Sequence, residues 1–348
     1  MNSPLNEYTQ GTANWREVIK QNSRRTYLVI GLFFAIYIAI GLLVDVFLYS
    51  QSYPTVSPIT ILDAILHGEL IPKATIIMFI IASISLLISY WFHDRLMLLG
   101  TEYHEITPET ARNVQETQLY NVIEEMKISA GLRYMPRVYL IEADYMNAFA
   151  SGYSEKSALV AITRGLMQKL NRDELQAVMA HELSHINHLD IKVTLTATLL
   201  ANLTIIVIDI LFRAAIFAPR RSDKKGGGLI VIIMLLRFLL PIISVILLLY
   251  LSRTRELMAD SGAVQLTRSN EGLANALLKI QNDHAQNADE YRNQYNNTPN
   301  EQIRREAYIF DPMQAGFLSV RSVNDLFSTH PSIEKRLEAI GFKKKTTE

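Results

Sequence analysis

The chain contains no cysteine among its 348 residues. A disulfide framework and a thiolate metal site are therefore both excluded, which fits a reducing compartment. It also has no net charge, with 34 basic residues against 34 acidic ones. Nothing in that balance points to nucleic acid. No internal repeat is visible, and the stretch from 50 to 72 has no Lys or Arg at all.

What is present in excess is apolar sequence. Apolar residues make up 49% of the chain and charged ones only 20%. The excess is concentrated in blocks, which points to a membrane protein with a soluble part. Residues 27–44 and 74–92 are free of charge and long enough to cross, since a helix needs about 20 apolar residues to do so. The block at 193–217 carries Asp209 and Arg213, and the block at 229–251 carries Arg237 and Pro241. A charge at mid-bilayer is costly, so these two read less cleanly as spans. If the pair forms a hairpin turning near Asp223, Asp209 and Arg237 lie 14 residues on either side of the turn and at one depth, where they can pair. Placing the metal-site residues at one height puts the turn near 219 or 220 instead. A cleaved signal peptide competes for the first block, but its apolar core exceeds the usual length and the preceding segment is long and partly acidic.

Basic residues set the orientation. Arg16, Lys20, Arg24 and Arg25 precede the first block, and none follows it until Lys73. The positive-inside rule places the N-terminus and the segment from His93 to about Asp190 in the cytoplasm. Arg220, Arg221, Lys224 and Lys225, between the third and fourth blocks, break the rule for a fully spanning hairpin.

Between the blocks the chain reads as α/β. A helix is expected from Pro108 to Ala130, with Thr107 as cap and Gly131 as stop. Strands are expected at 137–143 and 157–163, with "NAFASG" as a turn-like stretch between them. A helix capped by Asn171 follows. "SRTRELMADSGAVQLTRS" is helical, "LANALLKI" continues at helical spacing, and 281–302 reads as a polar surface loop with a solvated His284.

The Asn171-capped helix holds His181, Glu182 and His185 as H-E-x-x-H. Positions i and i+4 lie on one face about 5–6 Å apart, so two imidazoles there can share one zinc ion. Glu182 then projects beside the ion, where it can take a proton from a water the ion makes acidic. By composition the pattern would arise by chance roughly 0.01 times in such a chain. The extended form with a third histidine is absent, because His188 and Ile191 occupy its remaining positions. Glu256 is the candidate third ligand. Asp260, four residues on, can accept a hydrogen bond from the free nitrogen of a ligand histidine.

"HELSH", "SRTRELMAD", "NAFASG", "AITRGLMQKLNRDELQAVMAHE" and "LFSTHPSIEKRLEAI" together resemble the HtpX branch of the membrane-integrated gluzincin metallopeptidases, from about residue 94 onward. The resemblance implies a mainly α membrane protein with an α+β gluzincin-type catalytic domain and about four hydrophobic helices. It implies a zinc endopeptidase of the inner membrane, facing the cytoplasm, that cleaves misfolded or damaged membrane proteins in quality control. One Zn2+ would be held by His181, His185 and Glu256, with Glu182 as general base. His330 matches a residue that helps hold the transition-state oxyanion, and Arg336 a basic position that braces the site. Asn147, Ala148 and Phe149 match the segment where an extended substrate pairs. The partners implied are membrane-protein or unfolded polypeptide substrates and the lipid bilayer, with no nucleic acid; a homo-oligomer is compatible. The expected division is a cytoplasmic tail (1–25), a two-helix anchor (26–93), a first part of the peptidase domain (94–190), a hydrophobic hairpin (191–252) and a second part (253–348). No role is read for the tail. The layout would hold the metal close to the bilayer surface. A CAAX-type prenyl-protein peptidase shares the zinc motif but would need more spans. A scaffold or chaperone with structural zinc would have no use for Glu182. A transporter has only Asp209 and Arg237 in its favour.

Overall fold

The structure is a computed structural model describing residues 4–11, 14–217, 227–298, 304, 307–311 and 329–345. The chain divides into two compact units. One comprises residues 1–26, 90–192 and 249–348, and the other 27–89 and 193–248.

The first unit is α+β. Its main sheet has β2 (Tyr103–Ile106), β3 (Arg137–Ile141), β4 (Ala148–Ser151) and β5 (Leu159–Thr163), in the order β2-β3-β5-β4. β3 and β5 are parallel; β2 and β4 join as antiparallel edges. The fully buried run Leu159–Thr163 is rich in aliphatic and β-branched residues, as a strand covered on both faces requires. α4 (Val114–Ala130) and α6 (Arg172–Asn187) pack together, and α6 also packs on α9 (Glu271–Gln286) and β4. Leu119, Val122, Leu140, Val160, Val178, Leu183 and Leu277 form the centre of this core.

Capping fixes where these helices start. Asn171 accepts from the Glu174 N–H, and Glu174 reaches back to the Asn171 N–H, a reciprocal cap that starts α6 as expected. α4 starts later than the sequence suggests. Asn113 is its cap, while Thr107 bonds within a turn of its own. Gly131 ends α4 at φ 70°, a left-handed conformation that glycine adopts without a Cβ penalty. "NAFASG" is not a turn: Ala148–Ser151 is the edge strand β4. Nor are residues 281–297 a loop. α9 runs on to Gln286 and α10 (Ala288–Asn297) follows. His284 is fully buried, not solvated, with its Nε2 3.2 Å from the Tyr295 hydroxyl. Loop-like composition misled here because Tyr291 and Tyr295 on α10 supply the apolar face. The N-terminal segment also has a place in the fold: β1 (Tyr8–Gln10) pairs antiparallel with β6 (Phe342–Lys344).

The second unit is helical. α1 (Trp15–Ser52), α3 (Lys73–Leu98), α7 (Asp190–Phe217) and α8 (Gly227–Thr267) all contain stretches long and apolar enough to cross a membrane. Large apolar side chains such as Ile77, Phe79, Leu87 and Phe238 face outward, as lipid contact requires. Asp45 on α1 is buried and caps α3, accepting from the Ala74 N–H (2.8 Å), the Thr75 N–H (2.9 Å) and the Thr75 hydroxyl (2.7 Å). Asp209 and Arg237 do pair, at 2.9 Å, and Asp209 also meets Arg213 at 2.7 Å. The turn anticipated at 219–223 and its basic cluster lie outside the described residues.

Candidate active site

α6 carries His181, Glu182 and His185, and α8 brings Glu256 and Asp260 against it. The close approach depends on Gly262 of α8, where an added Cβ would lie 2.0 Å from Ser184 Oγ. α6 does not run on into the apolar helix. His188 closes it, Leu189 takes φ 54°, and α7 starts at Asp190. That reversal points the Asp190 carboxylate back at α6.

Each histidine is held from behind by a carboxylate. His181 Nδ1 lies 3.0 Å from Asp260 Oδ1, and His185 Nδ1 lies 2.7 Å from Asp190 Oδ2. A carboxylate at Nδ1 fixes the proton there and leaves the Nε2 lone pair free. The two Nε2 atoms face each other 3.1 Å apart. Glu256 completes the group: its Oε1 is 3.5 Å from His185 Nε2 and its Oε2 is 3.8 Å from His181 Nε2. These ligand atoms all lie within 4.8 Å of one another.

Two imidazole lone pairs aimed at each other with no proton between them repel. A divalent cation among them removes the repulsion, and tetrahedral ligands at zinc's bond lengths stand about 3.3 Å apart. The protonation pattern agrees. Burial, with help from His181, pulls His185 down to about 3, so it is neutral, as a metal ligand must be. Glu182 is fully buried, and neither of its carboxylate oxygens closes a hydrogen bond. The Ala150 N–H faces it without good geometry. Burial first, then the Glu256 charge, push its carboxyl well above the usual range. A divalent cation alongside supplies the missing positive charge, so the residues fit a bound metal.

His330 and Arg336 join the site. His330 Nδ1 stands 3.1 Å from Glu256 Oε2; burial lowers the pKa of the imidazole, but Glu256, with help from Asp311, outweighs it and raises the imidazole above its usual value. Arg336 binds Asp260 through two nitrogens, at 2.9 and 2.7 Å, and its Nη1 lies 3.7 Å from Glu256. His188 faces away from this cluster, with Nδ1 2.8 Å from the Ser184 carbonyl.

Asn147 immediately precedes the edge strand β4, which Ala148 and Phe149 begin, but the groups expected to meet substrate are engaged within the chain. Asn147 is fully buried, its amide donating to the Phe310 carbonyl (3.0 Å) and the Tyr295 hydroxyl (3.2 Å). The Ala148 carbonyl accepts from the Ile309 N–H at 2.9 Å. Phe149 is buried with its ring against Tyr308.

Sequence reading missed two parts of the site. Asp190 enters the sequence reading only as the end of the cytoplasmic segment. The signal available was a carboxylate five residues past His185, just beyond the helix end. Nor does the sequence mark Arg255, which is buried, pairing with Asp190 and donating to the His188 carbonyl at 3.0 Å.

Residues 113–342 match the family model described as Peptidase family M48. A protein named Protease HtpX homolog from Helicobacter pylori (strain J99 / ATCC 700824) is 35% identical over 327 residues, covering 94% of this chain and 98% of its own length. One of the same name from Dictyoglomus turgidum is 33% identical, covering 93% of each chain. Among solved structures, the crystal structure of S. mikatae Ste24p aligns with a TM-score of 0.49 at 16% identity, covering 96% of this chain and 67% of that one. With its H-E-x-x-H helix, its converging Glu256 and four apolar helices, the chain belongs to peptidase family M48 as an HtpX-like, multi-pass membrane metalloprotease.

Proposed function

We propose that this protein is a zinc endopeptidase of the inner membrane that cleaves misfolded or damaged membrane proteins on the cytoplasmic side. The observation that carries the reading is the pair of Nε2 atoms of His181 and His185, turned toward each other beside Glu256, with the unpartnered Glu182 carboxylate next to them. His181, His185 and Glu256 hold the ion. Zinc, when bound, acts as a Lewis acid that makes a water acidic and polarises the scissile carbonyl.

The chain's own groups do the rest. Asp260 and Asp190 fix the two imidazole rings so that little reorganisation is needed on loading. Glu182 takes the proton from the attacking water and passes it to the leaving amine. Neither of its carboxylate oxygens closes a hydrogen bond within the chain, which leaves them available for both transfers. His330, whose charged form Glu256 favours, is placed to stabilise the developing oxyanion, and Arg336 braces Asp260 and Glu256. The outer edge of β4 is the platform for an extended substrate.

The side of action follows from charge: the basic residues before the first span set against the Lys- and Arg-free stretch at 50–72 support a cytoplasmic N-terminus. The peptidase domain is then assembled from 94–190 and 253–348, interrupted by the hairpin.

The test uses purified full-length protein and a misfolded membrane protein as substrate, comparing wild type with Glu182→Gln and each with and without chelator. The expected result is a fall of about 10²–10⁴-fold in cleavage for the variant, typical of losing a general base, with its metal content unchanged. Cleavage by Glu182→Gln at the wild-type rate overturns the assignment.

A further inference from the structure

We infer that the segment Tyr308–Asp311 bolts this site shut by lying in the substrate's place along β4, and that substrates open it with an extended segment carrying bulky apolar side chains. The inference rests on the proposed reading of the β4 edge as the substrate platform.

β4 is the last strand of its sheet, with β5 on one side. The Asn147 carbonyl is turned toward β5, accepting from the Thr163 N–H at 2.9 Å. Strand alternation therefore turns the backbone groups of Ala148 and Ala150 outward, toward Glu182. That outer edge is taken. Tyr308 forms an antiparallel bridge with Phe149, and the Ile309 N–H donates to the Ala148 carbonyl at 2.9 Å. The Asn147 amide reads both backbone groups of Phe310: Nδ2 donates to its carbonyl (3.0 Å) and Oδ1 accepts from its N–H (3.3 Å). These are backbone contacts of the kind an added strand from any polypeptide would make.

The site behind the bolt is nearly closed. Glu182 and His181 are 0% exposed, and the side chains of His185 and Glu256 only 13% and 8%, too little for an extended peptide to lie against them in this arrangement. Catalysis requires something to move, and the resident segment, bridged to β4 at Tyr308, holds the position a substrate strand needs. Further contacts secure it: the Tyr308 hydroxyl lies 3.1 Å from that of Tyr145, and Arg336 donates to the Ile309 carbonyl. Departure uncovers Tyr308, Ile309 and Phe310, all 1% exposed. The open state is thus a minority state. A substrate shifts the balance only by refilling the same places, which selects extended segments rich in aromatic and large aliphatic residues.

A disulfide lock tests this. Ile309 and Ala148 form the flanking hydrogen bond, so Phe149 and Tyr308 are a non-hydrogen-bonded pair, whose Cα atoms stand about 4.5 Å apart, within disulfide range. The chain has no other cysteine. In Phe149→Cys/Tyr308→Cys, oxidation should lower cleavage of an apolar unfolded polypeptide at least about tenfold relative to the same protein reduced, because the open form can no longer be populated. Metal content should be unchanged, and a phosphine reductant should restore the rate. Equal rates in the two states overturn the bolt.

If the reduced variant is itself inactive, amide exchange in the metal-loaded Glu182→Gln protein decides. Adding the same apolar polypeptide should speed exchange at Ile309. Unchanged or slowed exchange overturns the inference. This second measurement needs binding only, so a failure of the proposed proteolysis and a failure of the bolt give different results.

Discussion

At His181 and His185 the partner of one ring nitrogen decides what the other can do. Asp260 and Asp190 each hold an Nδ1, so both Nε2 lone pairs are committed to one point. Asp190→Asn should weaken metal affinity about 10–100-fold, the usual cost of losing such a carboxylate, while leaving the helical circular dichroism unchanged; competition with a metal-binding dye measures it. His284 gives a different residue-scale test. Burial holds its pKa down to about 4. The unfolded chain takes up this proton below about pH 6.5 and the folded chain only below about 4. This contribution to stability is therefore complete above pH 6.5 and is lost as pH falls toward 4, to a total of about 3 kcal/mol. Urea titrations of metal-free protein at a series of pH values should show wild type losing that much more than His284→Gln over this range. His284 was not legible from sequence because its burial depends on Tyr295 and Phe310, which sequence spacing does not bring to it.

Helices and strands were legible wherever a local signal marks their ends. The Asn171 box starts α6 and Gly131 stops α4, both visible in the letters. β4 was not, because Asn, Ser and Gly suggest a turn while the pairing that makes Ala148–Ser151 a strand comes from Leu159–Ile162. The break between α6 and α7 was hidden for a similar reason: Leu189 is an apolar residue in a left-handed conformation, which no propensity marks. Packing of α8 on α6 gives the element-scale prediction. Gly262→Ala must push Ser184 aside, because the added Cβ lies 2.0 Å from Oγ and 2.9 Å from the Ser184 Cβ. Overpacking of this kind costs about 1–3 kcal/mol. Thermal unfolding should show the loss, and Ser184→Ala in the same chain should recover part of it.

At the scale of the molecule, periodicity and composition located the four long apolar helices among the described residues, and the H-E-x-x-H pattern located two of the three residues of the metal group. The Asp209–Arg237 pair was found by counting from an assumed hairpin turn, which works because two antiparallel helices advance at the same rise per residue. What counting cannot supply is tertiary closure, such as Arg255 on Asp190 or Tyr308 on Phe149. Because His185 and Glu256 lie 71 residues apart in sequence, an ion shared between them ties α6 to α8. Chelation should lower the melting temperature, and the loss should diminish with added zinc as mass action requires. A melting temperature indifferent to zinc would contradict such a tie.

The central claim is that His181, His185 and Glu256 converge on one ion and leave its fourth coordination position free of protein side chains. Anomalous diffraction at the zinc edge from crystals of the full-length, zinc-loaded protein tests it most directly. The account predicts a single peak about 2.0–2.2 Å from both Nε2 atoms and a Glu256 oxygen, with Glu182 outside bonding distance. A peak elsewhere, or one whose fourth ligand is another protein side chain, would contradict it.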